Sequence, residues 1–159
     1  MGNKLNNLTS TMEDYLETIL VLKQANGFAM VGEIAEKLNV KSSSVNSTIK
    51  YLSDQNLVVH EKYGYVGLTK KGEDLAIDVK SKHDIFFRFL TEFLMLDSKA
   101  AEKEACGIEH SISSETFVRL TKFFEFLEKG FTTEKLKILQ AFEVYLKIGK
   151  KMKCACEKK

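Results

Sequence analysis

The chain has 159 residues, of which 44% are hydrophobic and 29% charged, with a formal net charge of +2. This is the composition of a soluble globular chain able to bury one or two cores, and no run approaches the ~18 apolar residues of a membrane span. Near-neutral charge excludes a chain that is basic throughout, though not one with a local patch for nucleic acid. Three cysteines and no apolar leader in the first residues argue against a disulfide framework and for a reducing cytoplasm.

Ser10-Thr11-Met12-Glu13 reads as a capping box. The helix it opens has Tyr15, Leu16, Ile19, Leu20 and Leu22 as its apolar stripe and ends near Asn26-Gly27. Asp14 and Glu17 lie one turn apart on it, and taken alone they read as two exposed acids. Val31, Ile34, Ala35 and Leu38 then give a short helix, Asn39-Val40-Lys41 a tight turn, and Val45, Ile49 and Leu52 the buried side of a second helix. Two short helices around a three-residue turn form a helix-turn-helix pattern. The second helix presents Ser42, Ser43, Ser44, Asn46, Ser47 and Lys50 outward. Small polar side chains let a helix approach the floor of the major groove and bond base edges or phosphates.

Two β-prone runs, Leu57 to Glu61 and Tyr65 to Thr69, flank a Gly-containing turn and predict a hairpin. Placed after the second helix it is a wing, with Lys62 and Tyr63 at its tip within reach of phosphate; His60 reads as structural. Residues 1–75 hold eight Lys and nine Asp or Glu, so this module has little resting attraction for DNA and needs something to switch it on.

A long helical pattern runs from Thr69 through His83 and Phe86 to Phe93, and Asp97-Ser98 caps the next helix. That helix carries Cys106, Glu109 and His110. At about 100° per residue, Glu109 and His110 fall roughly 60° and 40° either side of Cys106. A thiol, a carboxylate and an imidazole thus leave one helical face, the makings of half a coordination sphere. The same spacing also arises in solvated clusters around a small core cysteine. Ser113 or Ser114 caps a further helix, and Thr132 or Thr133 a last one. Nine of the eleven phenylalanines lie between Phe86 and Phe131. So small a helical unit has trouble burying that many rings, which points to a shared interface, a well-filled monomer core being the alternative. The basic tail, residues 151–159, holds Cys154 and Cys156; it reads as a frayed end or as a soft-metal ligand.

Together, Met12-Glu13-Asp14-Tyr15-Leu16-Glu17-Thr18-Ile19, the winged module, His83 and Gly107-Ile108-Glu109-His110 resemble the diphtheria-toxin-repressor (DtxR/MntR) family over about residues 8–130. The resemblance implies dimeric, metal-activated repressors with a winged helix-turn-helix followed by a helical dimerisation domain. The pattern looks like the shorter manganese branch, without an SH3-like third domain. Carried over by motif, Asp14 and Glu17 match acidic ligands of the manganese branch. His83, Glu109 and His110 match ligands shared by both branches. Cys106 agrees with the iron branch, where the manganese branch has glutamate. Phe87 stands where the iron branch has an ancillary glutamate, and Glu102, one turn before Cys106, is a possible ancillary substitute.

The expectation is therefore a mainly α chain: a winged helix-turn-helix at 1–72, an all-helical metal-binding and dimerisation domain at 73–150, and the tail. It is expected to be a cytoplasmic, metal-dependent repressor that binds double-stranded operator DNA as a homodimer, with no membrane or small-molecule substrate. Fe(II) is the expected ion and Mn(II) the runner-up, with Zn(II), Co(II) or Ni(II) binding in vitro. The alternatives are a metal-independent winged-helix regulator and a metallohydrolase using the same donors; a hydrolase has no use for a wing.

Overall fold

The computed structural model describes residues 8–60, 64–130 and 132–148, in two units divided between Asp84 and Ile85. The first unit opens with α1 (Ser10–Asn26). Its cap is Thr9, not Ser10: Thr9 takes the extended conformation and its Oγ1 accepts from the Met12 N–H at 3.4 Å, whereas Ser10 is already helical. Gly27, with φ 82°, closes the helix by donating its N–H to the Lys23 carbonyl, a left-handed cap that suits glycine.

A two-residue strand β1 (Ala29–Met30) follows, then α2 (Val31–Lys37) and α3 (Ser42–Asp54), joined by a turn in which Asn39 has φ 53°. The predicted hairpin forms as β2 (Val58–His60) and β3 (Tyr65–Leu68). The sheet order is β1-β3-β2, antiparallel throughout, with Ala29 opposite Val66 and Val59 opposite Gly67. The predicted stripes meet in one core: Leu16, Ile19, Ile34, Val45, Ile49, Leu52, Leu57, Val58 and Val66 are all buried. Burying each such side chain contributes about 1.5–3 kcal/mol. β1 was not expected. Glu33 holds it in place, accepting from the Met30 N–H at 3.1 Å and from Asn26 Nδ2 at 3.2 Å.

The wing joins α4 (Lys70–Arg88) through a tight contact. Thr69 donates its backbone N–H to the Leu57 carbonyl at 3.0 Å and its hydroxyl to the Asn56 carbonyl at 2.9 Å, while Oγ1 accepts from the Gly72 N–H at 3.1 Å. Gly72 is pressed so close that a Cβ there would lie 1.9 Å from the Leu57 carbonyl oxygen. The division between units falls inside α4, so His83 belongs to the first.

In the second unit the helix does not stay α to Phe93. It passes at Phe89–Phe93 into a π-helical turn, where the Leu94 N–H donates to the Phe89 carbonyl at 3.2 Å. Met95, in the loop that follows, takes a left-handed conformation with φ 57°. Asp97 then caps α5 (Ser98–Glu109) as predicted, accepting from the N–H groups of Lys99 and Ala100. Ser113 caps α6 (Ser114–Gly130), accepting from the Thr116 N–H at 3.2 Å, and α7 is Thr132–Ile148.

Phe93 packs edge-on to Phe124 at 5.1 Å. Arg88 lies over the Phe124 ring and pairs with Glu92 and Glu128; Lys135 lies over Phe93 and donates to Glu92 at 3.2 Å. Burial pushes the Glu92 carboxyl up, but the hydrogen bonds from Arg88 and Lys135 outweigh it and hold the group below its usual range. Phe126, Leu136, Ile138 and Ile148 are more than half exposed, and no described residue of α7 is buried. No described helix is long and apolar enough to cross a membrane.

Gly72→Ala tests the wing contact. The methyl group must displace backbone, so the first unit is expected to lose about 1–3 kcal/mol or more, read as a lower urea midpoint at unchanged slope. Wild-type stability would show that α4 can move off Leu57.

Candidate metal centre

α1 presents Asp14 and Glu17 on adjacent turns because the i, i+3 spacing sets them side by side, and both are half-buried. Tyr15, Leu16, Thr18 and Ile19 face inward around them and so fix the rotation of the helix. His83 comes from α4 of the same unit, and a carboxylate oxygen of Glu17 lies within 4.8 Å of a ring nitrogen of His83. The first unit therefore joins two donors sixty-six residues apart in the chain.

In the second unit the donors sit at the end of α5. One donor atom from each of Cys106, Glu109 and His110 lies within 4.8 Å of the other two, as the i, i+3, i+4 spacing predicts. Cys106 is exposed, Glu109 is 2% exposed, and the His110 side chain is 11% exposed. His110 Nε2 stands 3.3 Å from Glu109 Oε1. Glu109 closes the helix and His110 is its C-cap. The unsatisfied carbonyls there carry partial negative charge and favour a cation.

This chemistry suits a divalent metal. A buried carboxylate is stable when paired or coordinated, and thiolate, carboxylate and imidazole together suit a first-row transition ion. The donors separate into a hard set, Asp14 and Glu17 with His83, and a mixed set on α5. Glu102 is exposed and, among the described residues, belongs to neither group.

The outward face of α3 is exposed as its periodicity predicts. Val45, Ile49 and Leu52 of α3 point inward, leaving Ser42, Ser43, Ser44, Asn46, Ser47 and Lys50 exposed. Ser47 Oγ donates back to the Ser43 carbonyl at 3.0 Å. Lys62 and Tyr63, and the tail with Cys154 and Cys156, lie outside the described residues. Sequence reasoning placed Leu90 in the apolar pattern of the long helix but missed the π-helical turn that holds it beside α5.

Residues 7–66 match the family described as iron dependent repressor, N-terminal DNA binding domain. Residues 69–134 match its partner, iron dependent repressor, metal binding and dimerisation domain. An uncharacterised HTH-type transcriptional regulator of Methanocaldococcus jannaschii is 40% identical over 119 residues, 74% of this chain and 95% of its own length. The HTH-type transcriptional regulator MntR of Lysinibacillus sphaericus is 33% identical over 122 residues, 77% of this chain and 87% of its own. Among solved structures, the manganese regulator SloR superimposes with a TM-score of 0.66 at 33% identity, over 75% of this chain and 55% of that one. The chain spans a little over half the length of the solved IdeR and SloR chains it matches. It belongs to the iron-dependent repressor (DtxR/MntR) family of metal-dependent transcriptional regulators, which bind DNA and are not enzymes.

Proposed function

We propose that this regulator represses transcription in the cytoplasm as a homodimer on operator DNA, when a divalent cation is held by Asp14, Glu17, His83, Cys106, Glu109 and His110. The observation that carries this reading is the convergence of three unlike donors at the end of α5, one of them a buried carboxylate. Glu17 beside His83, with Asp14 one turn away, supplies the complementary hard donors.

A divalent cation bound there supplies positive charge to Asp14 and Glu17 of α1 and to the buried Glu109 of α5. Without it Asp14 and Glu17, on adjacent turns of α1, repel one another. With the charge offset, α1 is held and the recognition helices are set about one DNA turn apart. Asn46 and Ser47 then read base edges, and Lys50 contacts phosphate. The exposed apolar residues of α6 and α7 favour a dimer that forms without metal.

Fe(II) is the proposed activating ion because Cys106 adds a soft donor to an otherwise hard set, which favours Fe(II) over Mn(II). Mn(II) is the runner-up. Asp14 and Glu17 are hard donors, SloR is a manganese regulator, and another solved relative is a manganese-dependent repressor in complex with manganese.

Duplexes selected from a random pool on the metal-loaded protein test the reading. Gel shift is expected with Fe(II) or Mn(II) and not in excess chelator; equal binding in chelator would mean a metal-independent regulator. Cys106→Glu is expected to move the ranking toward Mn(II), and an unchanged ranking would show that Cys106 does not choose the ion.

Two further outcomes check the dimer and the recognition helix. Sedimentation in chelator is expected to give a dimer, a clean monomer meaning that metal builds the interface. Lys50→Ala should weaken binding to all sequences and reduce the salt slope by about one. A change confined to sequence preference would rotate the assigned face of α3.

A further inference from the structure

The buried face of α5 is Ala101, Ala105 and Glu109, each one turn beyond the last. Two methyl groups let the α5 backbone lie close to whatever covers it. Leu90 covers it, in a cluster with Ala101 and Ala105 against which Phe86, Phe87, Phe89 and Leu96 pack. Leu90 belongs to the π-helical turn and is itself closely held. The Thr91 hydroxyl donates to the Phe87 carbonyl at 2.8 Å, and the Leu96 N–H donates to the Leu90 carbonyl at 3.0 Å.

The turn is also braced by charge. Glu92 accepts from Arg88 Nε at 3.1 Å and from Lys135 Nζ at 3.2 Å, and those cations lie over Phe124 and Phe93. The brace therefore links the turn to α6 and α7. A π turn widens the helix locally and re-aims the side chains it carries, and such turns recur at functional sites. An α-helical continuation would rotate Leu90 relative to Arg88 and Glu92.

We propose that Leu90 is a positioning residue for the metal centre: the braced π-helical turn sets how α5 presents Cys106, Glu109 and His110. The inference rests on the metal reading above. Ala105 adjoins Cys106 and lies one turn before Glu109, so a shift of α5 at the Leu90 contact moves all three donors together. Loss of a group hydrogen-bonded directly to a metal ligand lowers affinity about 10–100-fold, and a packing contact one step further out is expected to act at the lower end of that range.

The test titrates Co(II) into the full chain, with competition by a chelator for affinity. The full chain is titrated in a Cys154→Ser/Cys156→Ser background, called wild type below, so that absorption from thiolate-to-Co(II) charge transfer reports on Cys106 alone. Wild type is expected to show the band and Cys106→Ser to lose it; a wild type without the band would overturn the metal reading itself. Leu90→Ala is expected to bind Co(II) about tenfold more weakly, with a weakened or shifted band. Leu90→Met, which conserves volume, should restore both. Glu92→Gln removes the charge brace without touching the apolar contact and should weaken affinity in the same direction by a smaller factor. Circular dichroism tells whether Leu90→Ala is folded. A folded Leu90→Ala with wild-type affinity and band overturns the proposal. If Leu90→Ala is unfolded, wild-type binding by Glu92→Gln overturns it.

Discussion

A carboxylate buried at the C-terminal end of a helix requires a compensating partner. Glu109 is 2% exposed and closes α5. Burial calls for a partner to its charge, and the partial negative charge of a helix C-terminus favours a cation beside it. Both effects act in the same direction, toward a cation. The neighbouring His110 imidazole at 3.3 Å and the Cys106 thiol within 4.8 Å set two unlike donor types beside that carboxylate. Asp97 starts α5 at Ser98, and the helix ends at Glu109 with His110 as its C-cap.

The DNA-binding unit solves a different problem, stiffness on a small scaffold. Its three-stranded sheet is short, and the wing is fixed to α4 by hydrogen bonds from Thr69 and by direct backbone contact at Gly72. Its charge is close to balanced, so non-specific attraction to phosphate is weak. The polar face of α3 is accordingly short and made largely of serines, with Lys50 its main charge. In such a unit the state of Asp14 and Glu17 carries electrostatic weight. Offsetting two carboxylates in an almost neutral module changes the sign of its net charge, over and above any movement of α1.

Strong periodicity made most of the fold legible. The stripes of α1, α2 and α3 are the core, and the caps at Asp97 and Ser113 stand where local chemistry puts them. The cap of α1 fell one residue early because Thr9 and Ser10 are both good caps, and the backbone conformation decides between them. β1 is too short, at two residues, to show alternation. The π-helical turn escaped because five residues are too few to tell one helical period from another. At the site, Cys106, Glu109 and His110 were legible because their spacing is local. The approach of Glu17 to His83 was not; it depends on how α4 packs, and only the family resemblance anticipated it. Leu90 carries no chemistry that a motif would flag.

If the proposed cation draws on both sets of donors, their division between two units has a thermodynamic consequence. α5 alone offers three, and the pair from α1 and α4 offers two more with Asp14 nearby. Fe(II) and Mn(II) take more ligands than α5 supplies, whereas a tetrahedral ion is closer to satisfied by three donors and a water. An ion of higher coordination number therefore gains more from the second set, and its binding depends more strongly on where that set lies. By linkage, the same ion has the larger effect on the DNA-binding unit. Discrimination between metals then need not lie in affinity for α5, where softer ions win. It can lie in how much of the binding free energy is reserved for the donors of the other unit, which a tightly bound but undemanding ion leaves unused.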